Sequence, residues 1–254
     1  MKRYAVITGA SSGIGSEFAR VLSQKGYSLI LIARREERLI ELSHTCSCEC
    51  QIMKADLSKE EECYRIFDAL KDYSIDLLIN NAGFGDCGCF IDGDIQKEMD
   101  MIKVNIEAVH ILTKLFIQKM NEQGYGSILN VASCAGLMPA GPYMSTYYAT
   151  KAYVTSLTRG IAQELKEKKS PLYIGCLCPG PVDTEFNQVA QVKFALKGIS
   201  VKQCVEQSLK GMKKRKIVII PSLMMRIMMT LGRFIPVSLY VFIASFQQKR
   251  KIYE

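Results

Sequence analysis

Short apolar runs alternate with helix-length amphipathic stretches along the first two-thirds of the chain, and this alternation leaves few folds open. The runs are residues 4–8, 28–33, 50–54, 77–80, 127–132 and 172–177. They are short and β-branched or Leu-rich, as strands buried on both faces are. Helix-length segments lie between them at residues 14–25, 36–44, 59–71, 96–122 and 146–168. Such repetition builds right-handed strand–helix–strand units and a doubly wound parallel sheet. A helix over 201–212 and a seventh strand over 217–221 complete the pattern. The expectation is an α/β chain forming one domain over residues 1–254, with residues 223–254 appended as a helical, basic and apolar tail.

Composition narrows the function. Apolar residues make up 48% of the 254, enough to bury a sizeable core. The only histidines are His44 and His110, so a mechanism needing several is excluded. The ten cysteines are spread along a chain that can build its own core, and the apolar run 4–7 is too short for a signal peptide. A cytoplasmic protein without a disulfide framework is expected. The net charge of +8 is uneven: residues 210–254 carry a balance of +9 and the rest −1. A basic, apolar tail suits an anionic membrane surface or a partner better than nucleic acid. Its longest uncharged stretch, 234–248, falls short of the roughly 20 residues that a membrane span needs. Two short helices, packed on the body, a second subunit or a lipid surface, are expected there.

The first strand runs into Thr8-Gly9-Ala10-Ser11-Ser12-Gly13-Ile14-Gly15, and a helix follows. Glycines at such a turn let the backbone approach a pyrophosphate, and the helix N-terminus offers free N–H groups and partial positive charge. Three further motifs follow in order: Asn80-Asn81-Ala82-Gly83, Tyr147-Tyr148-Ala149-Thr150-Lys151 and Pro179-Gly180-Pro181-Val182-Asp183-Thr184. Together the four resemble the short-chain dehydrogenase/reductase family over roughly residues 1–190. The resemblance implies a Rossmann-like sheet, an oxidoreductase that moves a hydride between a nicotinamide dinucleotide and a carbonyl or alcohol, and a homodimer or homotetramer. It implies that the cofactor meets Gly9, Ser11, Ser12, Gly13, Ile14 and Gly15 in the turn, Asp56 and Leu57, Asn81, Ala82 and Gly83, Tyr147 and Lys151, and Pro179, Gly180, Val182 and Thr184.

Tyr147 and Lys151 are four apart on a predicted helix and so share a face. A free tyrosine titrates near ~10, and a neighbouring ammonium lowers that value. The pair then exchanges a proton with a forming or reacting alcohol. Alone, the spacing describes any amphipathic helix; Tyr148, three before Lys151, lacks the family's spacing. Ser133 follows the strand 127–132, at the carboxyl edge where open sheets bind ligands. By resemblance it hydrogen-bonds the substrate oxygen, and Asn105 holds a water that links Lys151 to solvent. Otherwise Ser133 is an ordinary strand-end serine and Asn105 a local helix irregularity.

Cofactor choice rests on the end of the second strand, where Arg34 is the residue assigned to the phosphate and Arg35 either assists it or faces solvent. An acid there would bind ribose hydroxyls, whereas an arginine pairs with a 2′-phosphate, so NADP(H) is expected over NAD(H). Ser12 stands where many NADP-preferring relatives carry a second basic residue. Asp56 resembles the adenine-contacting position; alternatively it caps the next helix. No metal is expected, because Cys46, Cys48 and Cys50 lack zinc-ligand spacing. The substrate walls are assigned to Phe84, Leu137, Met138, Tyr143 and Phe186, with residues 185–200 as a lid, which suits a hydrophobic carbonyl. A catalytically weak NADP(H) sensor is the alternative to an NADPH-dependent carbonyl reductase.

Overall fold

The computed structural model describes residues 2–185 and 198–253. Seven parallel strands form one sheet in the order β3-β2-β1-β4-β5-β6-β7. They are β1 (Arg3–Thr8), β2 (Tyr27–Ala33), β3 (Cys50–Lys54), β4 (Ile75–Asn80), β5 (Ser127–Val131), β6 (Tyr173–Leu177) and β7 (Val218–Ile219). Helices α1 (Gly13–Gln24), α2 (Glu36–His44), α3 (Glu60–Ala69), α4 (Ile95–Ile102), α5 (Val109–Gln123), α6 (Ser145–Glu167) and α7 (Val201–Lys213) connect them. Alternating side chains of the strands explain the two layers. Ala5, Ile7, Leu29 and Leu31 face Phe18, Leu22, Leu39 and Val205 of α1, α2 and α7. Val6, Ile30 and Ile32 face Ile66, Leu112 and Phe116 of α3 and α5.

Strand order reverses between β1 and β4, so their carboxyl ends open the crevice in which doubly wound sheets hold ligands. Beneath it lies a polar ladder. Asn80 Nδ2 donates to Asn130 Oδ1 (2.9 Å) and Thr113 Oγ1 (3.1 Å), and Asn130 Nδ2 donates to Thr158 Oγ1 (3.0 Å). It ties β4 and β5 to α5 and α6.

Two elements differ from the sequence pattern. The single helix expected over 96–122 is broken by a π-helical segment, Lys103–Ala108, between α4 and α5. Within it Asn105 is buried, and its side chain bonds the backbone of the loop after β4 instead of facing solvent. The seventh strand is two residues long, because Pro221 lacks the N–H that would extend it. The tail forms α8 (Leu223–Leu231) and α9 (Val237–Tyr253), separated at Pro236. Among the described residues no helix is long and apolar enough to cross a membrane.

Candidate active site

Thr8, the last residue of β1, joins the crevice's two sides. Its hydroxyl accepts from the backbone N–H groups of Asn81 (2.9 Å) and Ala82 (3.0 Å). In return, Asn81 Nδ2 donates to the carbonyl oxygens of Thr8 (3.0 Å) and Gly9 (3.1 Å). Gly15 is required here: a Cβ would collide with Gly9 O and Asn81 Nδ2. Ser12 precedes α1 in extended conformation without a side-chain cap, and no acid lies in the first turn. The first-turn N–H groups therefore have no internal anion, and a pyrophosphate fits their charge and donors.

Tyr147 and Lys151 lie near the start of α6, 8% and 4% exposed. Tyr147 is hydrogen-bonded to Ser133. Ser133 is anchored in turn by accepting from the Ala135 N–H at 3.1 Å. Lys151 Nζ donates to Val131 O of β5 at 3.0 Å and stands 5.9 Å from the Tyr147 ring centre. Burial holds the Lys151 ammonium down to about 8. The same burial pushes the Tyr147 phenol up, with the Ser133 bond opposing it. The expected lowering of Tyr147 by Lys151 is therefore not what dominates here: both groups share one desolvated floor, and the Lys151 head group is spent on a carbonyl.

Asn105 is fully buried. Its Oδ1 accepts from Phe84 N–H (3.1 Å), and its Nδ2 donates to Phe84 O (2.9 Å) and Thr150 Oγ1 (3.1 Å). Thr150 Oγ1 donates to Tyr147 O (2.8 Å), so α4–α5, the loop after β4 and α6 share one network. Gly83 closes it: a Cβ there would meet Asn105 Oδ1 at 2.8 Å and Lys151 Nζ at 3.2 Å. Asn105, Gly83, Ser133, Tyr147 and Lys151 thus converge on one spot. The π-helical turn that places Asn105 is the kind of irregularity that recurs at functional sites.

After β2, Arg35 spans the mouth of the glycine turn. Its Nε and Nη2 donate to Ser11 Oγ (3.3 and 3.1 Å), and Nη2 also to Ser12 Oγ (3.0 Å). Among the described residues Arg34 is exposed and its side chain makes no hydrogen bond or ion pair. Asp56 Oδ1 accepts from Ser58 N–H (3.1 Å) and Ser58 Oγ (2.9 Å), a local turn beside the buried Leu57. Pro179 O accepts from Cys134 N–H at 2.8 Å, Val182 is buried and Thr184 lies against Gly13. Gly180 lies under the tail: a Cβ there would meet Met225 Cγ of α8 at 2.7 Å.

Around Tyr147 pack Met101, Ala135, Met144 and Tyr148, with Phe84 and Met138 against them. Tyr143 lines a small cleft beside Tyr147. Leu137 packs instead with Cys134, Met225 and Met229, on the tail side. Phe186 and most of the assigned lid lie outside the described residues. The sequence reading gave no role to Thr8, Thr150 or Arg38, although Thr8 and Thr150 stand inside the quoted motifs. The tail also reaches this cluster: Gln248 Nε2 of α9 donates to Tyr148 OH at 2.6 Å.

The short chain dehydrogenase family model matches residues 3–193. Dehydrogenase/reductase SDR family member 11 of Bos taurus is 35% identical over 194 residues, covering 72% of this chain and 76% of that protein. A short-chain dehydrogenase from Sphingobium yanoikuyae, solved in complex with NADPH, superposes with a TM-score of 0.80 at 29% identity, covering 92% of this chain and 96% of that one. The bulky-bulky ketone specific alcohol dehydrogenase from Comamonas testosteroni gives 0.76 at 28% identity, covering 92% and 94%. This chain therefore belongs to the short-chain dehydrogenase/reductase family and is an NAD(P)-dependent oxidoreductase acting on CH–OH groups.

Proposed function

We propose that this protein reduces a hydrophobic carbonyl compound to its alcohol with NADPH, with Tyr147 as the acid and residues 1–254 working as one cytoplasmic domain in a homodimer or homotetramer. The observation that carries the reading is the Tyr147–Ser133 hydrogen bond set in an apolar cluster above the Lys151 ammonium. When bound, the dinucleotide supplies the hydride. Thr8, the glycine turn and Asn81 would hold its pyrophosphate end, and Arg35, seated on Ser11 and Ser12, would take its 2′-phosphate. Ser133 and Tyr147 orient the carbonyl oxygen between two hydroxyls, and Tyr147 donates its proton as charge develops there. Lys151, titrating near 8, stabilises the phenolate left behind. Asn105 acts by fixing Phe84 and Thr150, which frame this floor. The Met and aromatic lining excludes water and favours an apolar substrate.

The likeness to enzymes solved with NADPH and named for bulky ketones supports the same reading. The test is NADPH oxidation, with NADH alongside, over a panel of aliphatic, aromatic and steroid-like ketones. Tight NADPH binding with no turnover on any of them would return the reading to a cofactor sensor.

A second reading concerns the tail. A groove of about 800 Å³ separates α6, α7 and β7 from α8. Arg159, Lys210, Lys214, Lys216, Arg226 and Arg233 line it, with no carboxylate among the described lining residues. Among the described residues none of these six makes an ion pair. Leu223, Ile227, Leu231, Phe234, Phe242 and Phe246 of the tail are exposed. Cations beside exposed apolar side chains favour peripheral contact with an anionic bilayer. Sedimentation with phosphatidylglycerol vesicles, and not with phosphatidylcholine vesicles, is the expected result.

A further inference from the structure

Arg35 has a third partner besides Ser11 and Ser12. Its Nη1 pairs with Glu185 Oε2 at 3.2 Å, and Arg38 Nη1 pairs with Glu185 Oε1 at 2.6 Å. One carboxylate thus bridges two guanidinium groups, one oxygen to each. The Arg38 bond first, then Arg35, holds the Glu185 carboxyl below its ordinary range. These cations stand at the carboxyl end of β2, where two serines from the glycine turn already fix one of them.

The segment leading to Glu185 is anchored. Val182 pairs with Ile199 in a parallel bridge, Ile199 N–H donates to Pro181 O (3.1 Å), and Asp183 N–H donates to Ile199 O (3.3 Å). The Thr184 side chain lies against Gly13, where a Cβ would meet it at 3.2 Å. Glu185 is therefore delivered to the arginines by backbone fixed on both sides of the crevice, and it competes for them at high effective concentration.

We propose that Glu185 determines cofactor specificity: its carboxylate stands in for a 2′-phosphate on Arg35 and Arg38, so a phosphorylated dinucleotide must displace it and an unphosphorylated one leaves it in place. This rests on the reading that the 2′-phosphate docks at Arg35. Two guanidinium charges against one carboxylate leave an excess of one positive charge, which a phosphate carrying up to two negative charges neutralises better. With an unphosphorylated dinucleotide, Glu185 keeps the arginines paired, so the site is not left as two bare cations. The pairs are 43–45% exposed, so each is weak and screened by salt, and displacement is cheap.

The test is direct binding, followed by dinucleotide fluorescence, of NADPH and NADH to the wild type and to Glu185→Gln at low and high salt. Removing the competitor should tighten NADPH by about three- to tenfold at low salt, with NADH changing less than about twofold and the gain shrinking as salt rises. Unchanged NADPH affinity, or equal shifts for both cofactors, overturns the proposal. The wild type and Arg35→Ser separate the two failures. If the wild type prefers NADPH and Arg35→Ser abolishes that preference, the docking reading stands and only the role of Glu185 falls. If the wild type shows no preference, the docking reading itself falls.

Discussion

Lys151 donates from Nζ to the carbonyl oxygen of Val131 at 3.0 Å, in a place where its ammonium is almost cut off from water. One backbone carbonyl does not replace a full hydration shell, which is why burial drags the group down to about 8. The folded state thus carries a penalty for holding this charge. Between pH 8 and the unfolded value of 10.5 the unfolded chain binds more protons, so stability contributed by this group rises with pH across that window. Below pH 8 the penalty is complete, of order 3 kcal/mol. Lys151→Met should therefore lose most turnover and yet melt higher than the wild type at pH 7, with the difference vanishing above pH 10.5. Thermal melts across that range check it, and a mutant less stable at pH 7 would contradict it.

Tyr147→Phe removes the proposed proton donor and keeps the ring that packs in the apolar cluster. Turnover should fall by about 10²–10⁴-fold. NADPH affinity should stay within about twofold, since the lost hydroxyl faces Ser133. Steady-state rates together with direct cofactor binding separate the two effects.

Asn105→Ala strips both backbone groups of the half-buried Phe84 of their partners. Each unsatisfied group costs about 1–3 kcal/mol, so the melting temperature should drop by several degrees. Turnover should fall as well, because Thr150 and the start of α6 lose their link to the loop. Faster exchange of the Phe84 amide proton would show that the loop itself has loosened.

Arg35→Ser and Arg34→Ser are a matched pair. Arg35 is seated on Ser11 and Ser12, and Arg34 has no such seat among the described residues. The Arg35 change should erase most of the preference for NADPH over NADH, about tenfold or more, and the Arg34 change should cost less. The ratio of kcat/KM values for the two cofactors reads this out.

The strands were legible because burial on both faces leaves continuous apolar runs, and the motifs were legible because turn glycines and strand-end polar residues interrupt those runs. Asn105 stood out as a polar residue in an apolar stretch, but its partner did not, since that partner is backbone 21 residues upstream. A π-turn leaves no periodic trace in six residues. Arg34 and Arg35 are adjacent, and which one meets the glycine turn depends on the backbone path between Ala33 and Glu36. Leu137 reads like any apolar wall residue, and its side is decided by α8, which packs against it from far along the chain. Glu185 carries no motif of its own; only the tertiary approach of the segment after β6 to α2 gives it meaning.

Tyr147 and Tyr148 are neighbours with separate allegiances. The first belongs to Ser133, and the second is bonded to Gln248 of α9. Of the described tail, only Met225, Met229, Ala244 and Gln248 are buried, whereas the sheet beneath is closed on both faces. The molecule therefore has two grades of cohesion, and the weaker one is tied to α6 one residue from Tyr147, the proposed acid. Warming should fray α9 before the strands let go, releasing Tyr148 from Gln248 while the sheet stays closed.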